Sequence, residues 1–141
     1  MTDTTLHREP IRVRWGDVDS MGHVNNAKYF TYCESARMSY FAAIGLDGFR
    51  DGGRFGPALA AANLDFKKQV HYPAELEVRT RVAKLGRTSF TMEYEIVDVA
   101  TEERAAAGSG VIVWIDYGSG RPVPIPDALR QAMQAYAGPG A

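Results

Sequence analysis

Residues 15–37, WGDVDSMGHVNNAKYFTYCESAR, change character at Asn25. Up to that point Gly16, Asp17, Asp19, Ser20 and Gly22 crowd together, residues that bend the backbone or bond to it, so the segment reads as a loop. From there on Tyr29, Cys33, Ala36, Tyr40 and Ala43 recur at spacings of four and three, which predicts a helix over residues 26–44. Asn25 can cap its first free amides and Gly45 is a natural stop. Phe30 and Phe41 widen the apolar stripe, as expected of a helix covered on more than one side.

Outward from this helix, every other segment with a clear period reads as strand. Residues 10–15 alternate, with Ile11, Val13 and Trp15 on one face and Arg12 and Arg14 on the other. Beyond a Gly-rich connection (residues 47–56), residues 60–67 set Ala60, Ala62, Leu64 and Phe66 against Ala61, Asn63, Asp65 and Lys67. Residues 75–82 and 90–96 alternate in the same way, and residues 111–115 are apolar throughout, as in a more fully buried strand. The turn KLGRTS (residues 84–89) joins the third strand to the fourth. After Tyr117 the chain is loop-like until Pro126, which opens a short helix from Asp127 to about Tyr136, followed by a flexible tail over residues 137–141. No repeat is present. One strand, one long helix and four strands predict a single α+β domain over residues 1–141, a five-stranded, mostly antiparallel sheet wrapped around one central helix. Open sheet edges invite pairing with a second copy of the chain.

Composition narrows the function. With 16 basic and 17 acidic residues the formal net charge is -1, so no overall positive field draws in nucleic acid or an anionic membrane. No apolar run reaches the roughly 18–20 residues of a membrane-spanning helix, and the start MTDTTLHREP lacks the order of a secretory signal, which predicts a cytoplasmic protein. The single cysteine, Cys33, excludes an internal disulfide and reads as a packed core residue on the apolar stripe. His7, His23 and His71 have neither HxxxH nor HExxH spacing, and no metal is expected.

Chemistry, if any, concentrates at Asp17 and Asp19. A carboxylate ahead of a helix can attack a thioester or activate water, while amides of the first helical turn polarise the carbonyl. Thiols ionise near pH ~8–9, so the leaving group has little need of an acid. On pattern alone, aspartates in such a loop are more often turn caps.

The run D-x-D-x-x-G-H-V-N-N, followed by an aromatic helix start, resembles the 4-hydroxybenzoyl-CoA thioesterase-like branch of the hot-dog superfamily, which includes bacterial acyl-CoA thioesterases. The likeness extends less tightly through PALAAANLDFKKQVHYPAELEV and KLGRTSF. It implies a hot-dog fold, a homodimer or homotetramer, and hydrolysis of an acyl-CoA or acyl carrier protein thioester with no cofactor beyond the substrate's own CoA. The second aspartate of the pair, Asp19, is then the catalytic carboxylate and Asp17 is structural. The backbone amide of Asn26 polarises the carbonyl, while Gly22, His23 and Asn25 support the loop. The resemblance places Asn63 beside the site and CoA contacts at Lys84, Arg87 and Ser89; Lys67 and Lys68 form a second candidate patch on charge alone. Tyr29 could line the acyl pocket, although an aromatic at helical spacing is ordinarily core. Glu34 and Arg37, at i and i+3, read as an ion pair without chemistry. Two other readings are a hot-dog dehydratase or hydratase using His23, for which MGHVNN lacks the H-F-P-type proline, and a non-catalytic acyl-binding protein.

Overall fold

The protein is described from a computed structural model over residues 6–138. The elements are β1 (His7–Arg12), α1 (Asn26–Ala43), β2 (Phe55–Phe66), β3 (Glu75–Leu85), β4 (Ser89–Asp98), β5 (Arg104–Asp116), β6 (Arg121–Pro122) and α2 (Asp127–Ala135). The strands form one antiparallel sheet in the order β1-β3-β4-β5-β2, with the two-residue β6 added to β5.

The long helix starts and stops where its local chemistry dictates. The Asn25 side chain accepts from the Ala27 amide at 3.0 Å, and Gly45 leaves the helix with φ +70°, a conformation that costs glycine little. Tyr29, Cys33, Ala36 and Tyr40 turn one face of α1 onto Val78, Met92, Ile96, Ile112 and Trp114 of the sheet. Each large apolar side chain fully buried there contributes about 1.5–3 kcal/mol. The sheet wrapped on a central helix is the hot-dog arrangement that the sequence resemblance implies.

Several boundaries differ from expectation. Strand β1 begins at His7 and ends at Arg12; residues 15–17 instead make a 3-10 turn in which Trp15 is 76% exposed. The cause is Asp17, whose Oδ2 accepts from the Arg14 amide at 3.0 Å and pulls the chain out of the extended line. The Gly-rich connection folds into two 3-10 turns, Leu46–Phe49 and Asp51–Gly53, and β2 is already under way at Phe55. Strand β5 starts at Arg104, well before the apolar run, because its Ala- and Gly-rich half lies tight against β2. A Cβ on Gly108 would run into the Asn63 carbonyl.

Strand β2 departs from its expected in-and-out alternation. Residues 59–63 are exposed on both faces, and β2 pairs only with β5, so its far edge is open. At the other end of the chain, α2 follows Pro126 and buries Leu129 and Met133. Of the expected flexible tail, residues 139–141 lie outside the described residues.

Candidate active site

Two short bridges shape the loop ahead of α1. Val18 pairs with Val24 and His23 with His71, and the Val24 amide donates to the Val70 carbonyl at 2.8 Å. The loop is thereby pinned to the segment that follows β2. Gly22, at the tip, has φ +82°, and its carbonyl lies 3.2 Å from His71 Nδ1.

The two aspartates of the loop have separate surroundings. Asp17 is buried, with its Oδ2 accepting from the Tyr32 hydroxyl at 2.7 Å and from the Arg14 amide, and with Lys28 Nζ 3.9 Å from Oδ1. Burial alone would raise its pKa. The Arg14 amide, Tyr32 hydroxyl and Lys28 charge together outweigh burial and hold the carboxyl below the usual range. Asp17 is thus committed to the fold.

Asp19 is exposed and only half committed. Its Oδ1 accepts from the amides of Met21 at 2.9 Å and His23 at 3.3 Å, closing the turn. Among the described residues no donor reaches Oδ2. One oxygen therefore serves as a turn cap, as the pattern alone suggested, and the other is available.

Asp19 borders an open cleft of about 420 Å³ together with His23, Asn26, Tyr29, Phe66, Lys67 and Lys68. Asn25 takes the Ala27 amide and the Asn25 carbonyl takes the Lys28 amide, while no acceptor among the described residues meets the Asn26 amide. A free N–H at a helix start carries partial positive charge and suits a developing oxyanion. Tyr29 packs its ring 5.3 Å from that of Phe66, burial pushes its phenol pKa up, and its neutral ring forms a cleft wall. Lys68 is tied to Asp98, Thr101 and Glu103, whereas Lys67 lines the same cleft exposed.

Not every candidate converges here. Asn63, on β2, donates to Ser109 Oγ at 3.1 Å and lines a second cavity farther along α1. Lys84, Arg87 and Ser89 occupy the β3–β4 turn, at the opposite end of the sheet. The Asp19 end of β5 is marked by Ala106, opposite Phe66, and the turn end by Val113, opposite Ser89. Seven residues at ~3.3 Å each separate them by roughly 23 Å. That turn is braced from behind: Arg130 of α2 donates to the Gly86 carbonyl at 2.8 Å, and the Ile125 amide to the Arg87 carbonyl at 2.9 Å.

Sequence reasoning missed His71 and Arg37. His71 holds no diagnostic spacing, and only its bridge to His23, with ring centroids 4.7 Å apart, brings it to the loop. Arg37 was read as half of a simple ion pair, yet it is buried while Glu34 is exposed. Cys33 is buried and its thiol pKa is pushed up to about 12 by burial, which suits a core residue.

Comparison with known proteins bears on this arrangement. The family model of the thioesterase-like superfamily matches residues 13–133. A thioesterase of Thermus thermophilus, solved in complex with coenzyme A and zinc, is 36% identical, with a TM-score of 0.83 over 97% of each chain. The PA5185 protein of Pseudomonas aeruginosa is 34% identical, with a TM-score of 0.84, covering 98% of this chain and 96% of that one. A chloroplastic acyl-acyl carrier protein thioesterase of Arabidopsis thaliana is 29% identical over 127 residues. That match covers 89% of this chain and 66% of the plant protein, so the chain spans just under two thirds of the plant relative's length.

Proposed function

The chain belongs to the thioesterase-like superfamily, and from that premise we propose that it hydrolyses an acyl thioester, with Asp19 as the catalytic carboxylate and the Asn26 amide as the group that polarises the carbonyl. The observation that carries this reading is the divided carboxylate of Asp19. Oδ1 is held by two amides, no donor among the described residues meets Oδ2, and Asp19 borders the same cleft as Asn26 at the open helix start. A substrate carbonyl with its oxygen at the Asn26 N–H would present its carbon to Oδ2, or to a water that Oδ2 deprotonates. The tetrahedral oxyanion collapses with loss of thiolate: attack by water leaves the free acid directly, whereas attack by Oδ2 leaves a mixed anhydride on Asp19 that a water then hydrolyses, releasing the acid and restoring the carboxylate. No cofactor enters this scheme.

The acyl carrier is CoA or an acyl carrier protein, as the names of the Thermus and Arabidopsis proteins indicate for those relatives. For CoA, the cations of the β3–β4 turn, Lys84 and Arg87, with Ser89, suit its phosphates, yet in the same chain they lie at the far end of the sheet, roughly 23 Å along β5 from the end that Phe66 marks. A homodimer removes this distance. If β2 pairs antiparallel with β2 of a second copy, the Phe66 end of one strand lies beside the Phe55 end of the other. That end is the one beside the Arg87 turn, because Phe55 pairs with Asp116, and Trp114 bonds Thr88. The open edge of β2 and its exposed small side chains support such pairing. Each site would then use Asp19 of one copy and Arg87 of the other. Among the described residues no helix is long and apolar enough to cross a membrane, and the near-neutral charge offers nucleic acid no attraction; we place the protein in the cytoplasm.

The test is release of free thiol from a panel of acyl-CoAs by the purified protein. Asp19→Asn should lower kcat by about 10²–10⁴. It should leave the melting temperature nearly unchanged, because the amide oxygen can still cap the turn. His23→Ala should stay within about tenfold of wild type, since the His23 backbone amide, not its ring, bonds Asp19. A fully active Asn variant would sink the assignment. Loss of activity in His23→Ala on enoyl or hydroxyacyl substrates, with thioesters untouched, would favour the dehydratase reading.

A further inference from the structure

Past the Tyr29–Phe66 ring contact, a second cavity of about 160 Å³ lies between α1 and the sheet, walled by Phe30, Cys33, Leu59 and Leu64. It comes next after the Asp19 cleft along the same helix and the same strand, with the Tyr29–Phe66 contact between the two: Phe30 follows Tyr29 on α1 and Leu64 precedes Phe66 on β2. Apolar on its walls, it is ionic on one side. Arg37 lines it with a side chain only 8% exposed.

That guanidinium is under-supplied with acceptors. It has five N–H donors. One, on Nη1, goes to the Tyr94 hydroxyl at 3.1 Å, and the nearest carboxylate oxygen, Glu34 Oε2, is 3.9 Å from Nη2, beyond hydrogen-bond length. Glu34 is itself 64% exposed on its side chain and is not fastened into the cavity. Of the other polar groups of the wall, Asn63 and Ser109 are bonded to each other, and Thr31 has no hydrogen bond to the guanidinium. No fully buried side-chain nitrogen among the described residues lacks a partner, so the remaining guanidinium N–H groups reach the solvent of the open cavity, where an acceptor on a bound molecule can take the place of water.

We propose that Arg37 is a specificity-determining residue: the cavity takes the far end of the acyl group, and the preferred acyl groups carry there a hydrogen-bond-accepting oxygen that completes the bonding of the guanidinium. This rests on the thioesterase reading above. Size sets the substrate class. Arg37 follows Asn26 by eleven residues, ~16 Å along the helix, and a long helical side chain leans back toward the N-terminus, so the acceptor lies roughly 8–10 Å from the thioester carbonyl. A cavity of ~150 Å³ is enough for a benzene ring. The cavity thus has room for a single ring or a chain of about six carbons ending in oxygen.

Three CoA thioesters of one chain length separate the possibilities: hexanoyl, 6-hydroxyhexanoyl and adipoyl. With the full-length wild-type chain, kcat/KM should be tenfold or more higher for the hydroxyl or the carboxylate ester than for hexanoyl-CoA, and whichever is favoured identifies the oxygen. Arg37→Met should erase that preference by lowering the oxygenated ester while hexanoyl-CoA holds or improves. Arg37→Lys, which keeps the charge and loses the fork, should retain part of it. The wild-type ratio is readable whether or not the Met variant folds. Hydrolysis of all three esters at equal rates, or a preference that survives in Arg37→Met, overturns the assignment of Arg37 alone. Release of CoA from none of them, nor from the wider panel, overturns the thioesterase reading and this inference with it.

Discussion

A site shared between two copies can be tested by mixing subunits that are each defective. Asp19→Asn removes the proposed reactive oxygen, and Arg87→Ala the proposed phosphate contact, on a turn roughly 23 Å along β5 from the end that Phe66 marks. A hydrogen bond to a charged group contributes about 1.5–3 kcal/mol, so Arg87→Ala should cut kcat/KM for CoA esters by about 10- to 100-fold, mainly through KM. The two variants are co-expressed with different tags and the doubly tagged dimer is isolated. In that dimer one site combines both defects, while the other combines the intact Asp19 with the intact Arg87. Its kcat/KM should recover to about half of the wild-type value, at least about fivefold above the better parent. Thiol release at substrate concentrations well below KM reads this directly. Activity no higher than the mean of the two parent proteins would refute the shared site, and a doubly tagged species that cannot be isolated would refute the dimer.

Other expectations follow from single contacts. His7 is buried between the Tyr136 hydroxyl at 2.6 Å and Ser39 Oγ at 2.7 Å, and burial lowers its pKa against a weaker opposing pull from Glu9. The unfolded chain therefore binds the proton more readily. His7 contributes stability that is intact above its unfolded pKa of about 6.5 and lost as pH falls from there through the folded value. Melting temperature should drop on going from pH 7.5 to pH 5, and His7→Gln should flatten that limb. Tyr32→Phe removes the hydroxyl donated to the ionised Asp17 and should cost about 1.5–3 kcal/mol by denaturant titration, with Asp17 losing part of what depresses its pKa. Gly108→Ala should destabilise by about 1–3 kcal/mol, because the new Cβ meets the Asn63 backbone, which cannot swing aside. A melting temperature equal to wild type would mean that β2 is free to shift.

The helix and the alternating strands were legible because their periods are local: Asn25, Gly45 and the Tyr29 to Tyr40 stripe each declare themselves within a turn or two. Asp17 and Asp19 were sorted only by resemblance; in the structure one is buried under Tyr32 and the other is open. What stayed hidden depends on distant partners. Trp15 fits the strand pattern, but the Asp17 carboxylate diverts the backbone before that residue. The first half of β5 has the composition of a loop, since its Ala and Gly residues are selected by the nearness of β2 rather than by strand propensity. The exposed faces of β2 broke the alternation argument for the same kind of reason, the strand being at an edge. Arg37 and Glu34 have the spacing of an ordinary surface pair, and only the packing of α1 against Tyr94 shows that one partner is inside and the other outside.

The brace from α2 to the β3–β4 turn makes a distant amide a reporter. Ile125 donates its N–H to the carbonyl of Arg87, and Arg130 donates to the carbonyls of Gly86 and Arg87. Deuterium uptake at Ile125 therefore tracks how often the turn opens, and any anion that settles on the Arg87 side chain slows it. Ile125 thus records anion occupancy of the β3–β4 turn, in a spectrum rather than an assay.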